Sequence, residues 1–259
     1  INKKGSIFQS LYFPMDSCML LYGNVPENVE FGKYLMDMGD GKILTPPTLD
    51  ATKQQIKISP QYVFDQPIDQ FIKWIYPGIN EPVFSITSDA IILACLNNEV
   101  DMLNENSLQL MNTQGTEVVT LNSADSVKAD TPEEANHYQV EYLNTIKLPG
   151  LPPHELRLRV GCPVVLLRNM DTANGLCNGT RLIVKSIYPC LLQLTHPNGV
   201  HQGTDVLLPR IDMDTANHIL PFTMCRRQFP IKLAYAMTIN KSQGQSYKQV
   251  GVYLSRRTR

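Results

Sequence analysis

The chain has 259 residues, 43% hydrophobic and 18% charged, enough for a sizeable core in one large domain or two smaller ones. No run of eighteen apolar residues occurs, so no membrane-spanning helix is expected. The opening Ile1-Asn2-Lys3-Lys4-Gly5 has no apolar signal-peptide core and no initiating Met, as in a fragment or a processed chain. The net charge of −1 hides an uneven spread. Residues 1–150 hold 9 basic and 19 acidic side chains, a balance of −10; residues 151–259 hold 14 and 5, a balance of +9. A basic second half suits a polyanion such as nucleic acid, and it equally suits two halves that attract each other.

Six cysteines (Cys18, Cys95, Cys162, Cys177, Cys190 and Cys225) show no C-x-x-C spacing and no adjacent His pair at zinc-finger spacing. Most lie inside apolar runs. They read as reduced thiols of an intracellular protein and not as a disulfide framework, and no metal site is expected.

In chain order, residues 28–39 predict an amphipathic helix through Phe31, Tyr34, Leu35 and Met38, with Asn28 as cap and Gly39 as stop. Residues 44–60 hold three prolines and predict an extended connector. Residues 67–76 predict a helix with Ile68, Phe71, Ile72 and Ile75 on one face, stopped by Pro77-Gly78. Ala90 to Leu96 is a continuous apolar run, as in a strand buried on both faces, and Asn98 can cap a helix that follows. Residues 120–137 are polar and acidic and predict a loop. Residues 156–228 change character: apolar runs at 164–167, 182–188, 191–195 and 206–211 alternate with turn signals at Asn174-Gly175, Asn178-Gly179 and Asn198-Gly199. That pattern predicts a small antiparallel barrel inside an α/β fold. Residues 231–240 read as helical, and Val250 to Leu254 as a last strand. Trp74, the single Trp, reads as partly buried on its helix.

The stretch most suggestive of chemistry is Thr238-Ile239-Asn240-Lys241-Ser242-Gln243-Gly244-Gln245, which ends an apolar segment. Hydroxyls, amides and an ammonium in such a cluster can hydrogen-bond phosphate oxygens, and the glycine permits close backbone approach. The same residues also fit a polar helix end with a glycine cap.

The twelve residues Ala234 to Gln245 resemble motif V of superfamily-one DNA helicases of the Pif family and their RecD-like cousins. The resemblance implies that Thr238, Asn240, Lys241, Ser242 and Gln243 face single-stranded DNA, and that Gly244 and Gln245 stand nearer the nucleotide. Val160 to Asn169 and Gly175 to Leu182, a plain hairpin when read alone, resemble the small Src-homology-three-type barrel that this family inserts into its second motor domain. Leu208-Pro209-Arg210-Ile211 and Arg226-Arg227-Gln228-Phe229-Pro230-Ile231 continue the likeness. It implies phosphate contacts for Arg168, Arg181, Arg210, Arg226 and Arg227. Upstream, Phe31 to Lys42 resembles the segment after motif III. Ile91 to Asp101 resembles motif IV, with Asn97 and Asn98 on the nucleotide side. Leu148 to His154 resembles the Helitron-type transposon branch.

The implied fold is a RecA-like second motor domain, α/β, with an inserted β-barrel and N-terminal connector helices. The implied division is 1–80, connector and tail of the first motor domain; 81–147, RecA-like; 148–228, barrel; and 229–259, RecA-like again. The implied protein is an ATP-dependent 5′-to-3′ DNA helicase acting in the nucleus or mitochondrion, in repair, telomere upkeep or transposition. ATP and Mg²⁺ belong to it only together with a first motor domain. The 259 residues contain no G-x-x-x-x-G-K-[ST] phosphate loop and no Mg²⁺-holding motif in its context, so the chain alone is expected to be inactive. Gly39-Asp40-Gly41-Lys42 is a lookalike that ends a helix. Lys4 stands where the family often has a nucleotide-facing Arg. Leu254-Ser255-Arg256 follows the last strand directly, where the family interposes a helix before its motif VI arginine. Either an internal deletion has brought Arg256 forward, or the basic tail is unrelated sequence. A non-catalytic nucleic-acid-binding module or a transposon relic is the alternative function.

Overall fold

In the computed structural model, which describes residues 9–14, 32–34, 36–37, 40, 42, 63–81, 89–111, 117–128, 138–215, 220–243, 245 and 247–254, the chain forms two compact units. Its elements run β1 (Gln9–Pro14), β2 (Val63–Phe64), α1 (Ile68–Ile75), β3 (Ala90–Ala94), α2 (Asn97–Leu110), β4 (Val119–Asn122), β5 (Ala124–Lys128) and α3 (Val140–Thr145). There follow β6 (Glu155–Leu158), β7 (Pro163–Leu166), β8 (Arg181–Ile187), β9 (Leu191–Thr195), β10 (Asp205–Pro209), β11 (Ile211–Asp214) and β12 (Thr223–Gln228). β13 (Ile231–Leu233), β14 (Ala236–Thr238), a short 3₁₀ turn (Ile239–Ser242) and β15 (Gln249–Leu254) complete the order.

The first unit comprises residues 1–77, 89–103 and 236–259. Its sheet has the order β14-β3-β15-β1-β2. β14 and β15 both run parallel to β3, and β1 runs antiparallel to β15. Flanked on both edges, β3 is buried along nearly its whole length, which is why its sequence is a continuous apolar run. α1 starts at Pro67, whose carbonyl accepts from the N–H groups of Gln70 and Phe71, and it stops before Pro77. Phe71, Ile72 and Ile75 are fully buried on one of its faces, each contributing about 1.5–3 kcal/mol of burial. That face lies against β15 at Gly251, where a Cβ would come within 2.6 Å of Phe71 Cζ and 2.7 Å of Ile75 Cδ1. Trp74 is half-buried and stacks on Phe64 at 4.9 Å, as its predicted position required.

The second unit comprises residues 78–88 and 104–235. It holds a five-stranded antiparallel sheet of order β10-β9-β8-β7-β13, a three-stranded sheet β11-β12-β5 and the pair β4-β6. Alternate residues Leu182, Val184, Leu192, Leu194, Val206 and Leu208 are buried, the period-two pattern of strands with one core face. The predicted Asn-Gly turns form, with φ of +74° at Gly175 and +82° at Gly199, where a side chain would strain the backbone.

Two expectations are corrected. Residues 231–240, read as helical, form β13, β14 and the 3₁₀ turn. Ala234 to Met237 are buried in succession, so no polar face marks a helical period, and the register Ala236↔Ile92 makes the segment a buried parallel strand. The stretch 120–137, read as a loop, contributes β4 and β5 up to Lys128. Its strands offer single buried residues, Leu121 and Asp125, to the core and polar ones to the other side. The 44–60 connector lies outside the described residues. Residues 32–34 and 36–37 of the 28–39 helix are helical, and its expected caps lie outside the described residues.

Candidate nucleic-acid interface

The parallel strands of the first unit end level with one another, Thr238 of β14 and Tyr253 of β15 both standing beside Ala94 of β3. Ligands of open α/β sheets bind outside such carboxyl ends. Two segments leave the sheet there: the 3₁₀ turn after β14, and Cys95-Leu96 leading into α2.

The turn is short because side chains close it. Ser242 Oγ donates to the Ile239 carbonyl at 2.7 Å, Gln245 N–H to Ser242 O at 3.1 Å, and Gln245 Nε2 to Lys241 O at 3.3 Å. Ile91, Met237 and Tyr247 form the apolar footing below, and the Tyr247 hydroxyl donates to Gln245 Oε1. Asn240, Lys241 and Gln243 project exposed, whereas Thr238 and Ser242 are half-buried. No ion pair ties Lys241 among the described residues. An ammonium between two primary amides offers donors and no fixed negative charge, which suits phosphate oxygens. The Ser242 proton is already committed to Ile239, so that hydroxyl shapes the turn. At the neighbouring strand end, the Leu96 N–H donates to Glu99 Oε2 at 3.2 Å, which leaves Asn97 and Asn98 exposed. Cys95 is exposed there too; it is indistinguishable in sequence from the buried run it follows.

The five arginines belong to the second unit, and they differ. Arg226 is 1% exposed and is corrected from phosphate contact to core residue. Its Nε and Nη2 donate to the two oxygens of Asp125 at 2.9 and 2.6 Å, and further N–H groups donate to the carbonyls of Leu143, Ile146 and Pro152. With its donors so engaged in the interior, the side chain has none left for a polyanion. Arg227, one residue on, points outward to Asp212 at 3.3 Å. Arg210 donates to the carbonyls of Pro189 and Asn122, with its guanidinium 4.8 Å from the centre of the Phe229 ring. Arg181 is half-buried on β8. Arg168, after β7, is exposed, with no ion pair among the described residues.

Other polar clusters are structural. Ser123 Oγ lies 2.7 Å from Asp125 Oδ1 and 2.8 Å from His154 Nδ1. These are the residue types of a nucleophilic triad, but a working His bridges Ser and Asp through its two nitrogens. Here one nitrogen faces both, and Asp125 is already paired with Arg226. Among the described residues, no three His, Cys, Asp or Glu side chains converge on a metal position, and no helix is long and apolar enough to cross a membrane. The five described cysteines are free thiols. Lys42 pairs with Asp40 at 2.8 Å and Asp37 at 3.4 Å, and its N–H donates to Asp37 O, a bond typical of a helix end. Both acids raise its pKa, that of Asp40 first. Lys4, Gly244 and Arg256 lie outside the described residues.

The family of the Pif1 DNA helicase 2B domain matches residues 141–187, which run through α3, β6 and β7 to the end of β8. The ATP-dependent DNA helicase PIF1 of Danio rerio is 35% identical over 101 residues, 39% of this chain and 16% of that protein. PIF7 of Trypanosoma brucei brucei is 27% identical over 179 residues, 57% of this chain and 18% of its own length. The chain is similar to the C-terminal portion of Pif-family DNA helicases. It spans less than a fifth of either relative. The Pif1 helicase of Candida albicans superposes with a TM-score of 0.45 at 24% identity, over 69% of this chain and 42% of that one. The turn after β14 lies in the first unit and the 2B match in the second.

Proposed function

We propose that this chain is the strand-holding part of an ATP-dependent 5′-to-3′ DNA helicase. It would supply a face of the single-stranded DNA groove and one side of the ATP cleft in a RecA-like second motor domain. The observation that carries the reading is the exposed Asn240-Lys241-Gln243 group at the carboxyl end of β14, level with the ends of β3 and β15. Phosphates of a strand passing this edge meet an ammonium and two amides. The phosphate loop and the acidic Mg²⁺ ligands would come from a first motor domain, and ATP would then sit between the two domains. Gln245 would face the nucleotide, with Gly244, Lys4 and Arg256 as further candidates. The antiparallel strands of residues 148–228 would be the Src-homology-three-type barrel, and Arg168 its clearest phosphate contact. The Helitron branch, action in the nucleus or mitochondrion, and the domain limits 1–80, 81–147, 148–228 and 229–259 belong to the same proposal.

A non-catalytic nucleic-acid-binding module is the second reading. It is favoured by Lys42, which ends the Gly39-to-Lys42 lookalike of a phosphate loop, being bound to Asp37 and Asp40 at a helix end. Fluorescence anisotropy of the full chain with a single-stranded DNA oligomer over a salt series tests both readings. Salt-sensitive binding that Lys241→Ala/Gln243→Ala weakens supports the DNA-facing edge. Joined to a first motor domain, the chain should then support strand-stimulated ATP hydrolysis under the first reading and none under the second. A folded chain that ignores the oligomer at low salt overturns both.

A further inference from the structure

The turn between β9 and β10 is flanked by two histidines, His196 and His201. The main chain fixes the first: His196 N–H donates to Thr204 O at 3.2 Å, and its carbonyl accepts from Gly203 N–H at 2.9 Å. Its side chain is 6% exposed, and its Nε2 is buried with no hydrogen-bond partner. Such a nitrogen is costly to leave empty-handed. The His201 ring centre stands 5.5 Å away, with the planes at 43°. Both rings converge on the turn at Gly175. A Cβ on that glycine would lie 2.8 Å from His201 Cδ2, 3.2 Å from His201 Nε2 and 3.8 Å from His196 Cε1.

We propose that His196 and His201 form a two-imidazole site for a late first-row divalent cation, zinc being the simplest. Two imidazole nitrogens bound at roughly 2.0–2.1 Å to one tetrahedral zinc place their ring centres about 5 Å apart, close to what is seen here. Imidazole suits zinc, copper and nickel above magnesium or calcium. Burial, and then the charge of His201, lower the His196 pKa, which keeps that ring in the neutral form able to ligate. No third protein ligand converges here among the described residues. Water therefore fills the remaining positions, and the cation exchanges freely, unlike one in a closed four-ligand site. Both ligands belong to one turn, so binding ties the β9–β10 hairpin shut and stabilises the second unit by mass action.

The test uses the full chain freed of metal by a chelator and titrated with zinc chloride, then nickel chloride, in a calorimeter, with thermal unfolding in parallel. One saturable site, a melting temperature that rises with zinc, and shifted imidazole proton resonances of both histidines are the expected results. His201→Gln, at a partly exposed position, should stay folded and weaken binding by roughly tenfold or more. Cys95→Ser/Cys190→Ser should leave it unchanged. The proposal is overturned if the wild type shows no saturable site, or if His201→Gln binds as tightly as the wild type. Should His196→Gln fail to fold, the His201→Gln result decides alone.

Discussion

Arg226 and Arg227 are neighbours on β12 with the same charge, and the pleat sends them to opposite sides. Arg226 meets Asp125 in the interior, so Arg226→Ala leaves a buried carboxylate uncompensated. It should cost about 3–5 kcal/mol in urea unfolding, a loss of stability and not a selective loss of DNA affinity. Arg168→Ala should change stability by less than about 0.5 kcal/mol and act on DNA affinity instead. If both variants change stability equally, the division between core and surface arginines is wrong. Cysteines divide the same way. Burial pushes the Cys162 thiol up to about 12 from 9.0, while Cys95 and Cys190 are exposed. Alkylation followed by mass spectrometry should therefore mark Cys95 and Cys190 in the native chain, and Cys162 only after denaturation. The pH sign follows. The folded state holds Cys162 neutral, so its contribution is complete below pH 9.0 and is lost as pH rises toward 12. Cys162→Ala should flatten that part of the stability profile.

At the scale of elements, period and punctuation decided what was legible. α1 shows an apolar face of Phe71, Ile72 and Ile75 and ends at Pro77, so its limits could be read directly. β3 is legible from the apolar run Ala90 to Leu96, set between Asp89 and Asn97. β14 is not, because burial on both faces erases its period, and only pairing with β3 distinguishes it from a helix. β4 and β5 are hidden for the opposite reason: each contributes too few apolar residues to signal a core face. The polar turn proposed to face DNA stands out as a motif, whereas the inward turn of Arg226 depends on Asp125, 101 residues earlier, and on three carbonyls that no local pattern predicts. Gly251 is a further case. Its role, giving Phe71 and Ile75 room over β15, is invisible without the packing. Gly251→Val should overpack this contact and lower stability by about 1–3 kcal/mol in chemical denaturation. An unchanged unfolding midpoint would mean that α1 does not seat on β15 as described.

For the whole molecule, the charge division of −10 and +9 admits two physical uses, and salt separates them. If the basic half serves a polyanion, binding releases counterions, and log affinity falls with log salt with a slope near −0.7 per neutralised phosphate on a single strand. Each true contact then adds to the slope. Lys241→Ala and Arg168→Ala should each make it shallower by roughly 0.7, and their double variant by the sum. A folded Arg226→Met chain should keep the wild-type slope, because a guanidinium paired with Asp125 releases no counterion. If the opposite charges serve mutual attraction instead, oligomer affinity stays slight at every salt concentration and the unfolding midpoint falls as salt rises, since screening weakens exposed pairs at distances beyond about 10 Å at 0.1 M. A steep, additive slope with a salt-independent midpoint assigns the basic half to the strand; a flat slope with a falling midpoint assigns it to the protein's own acidic half.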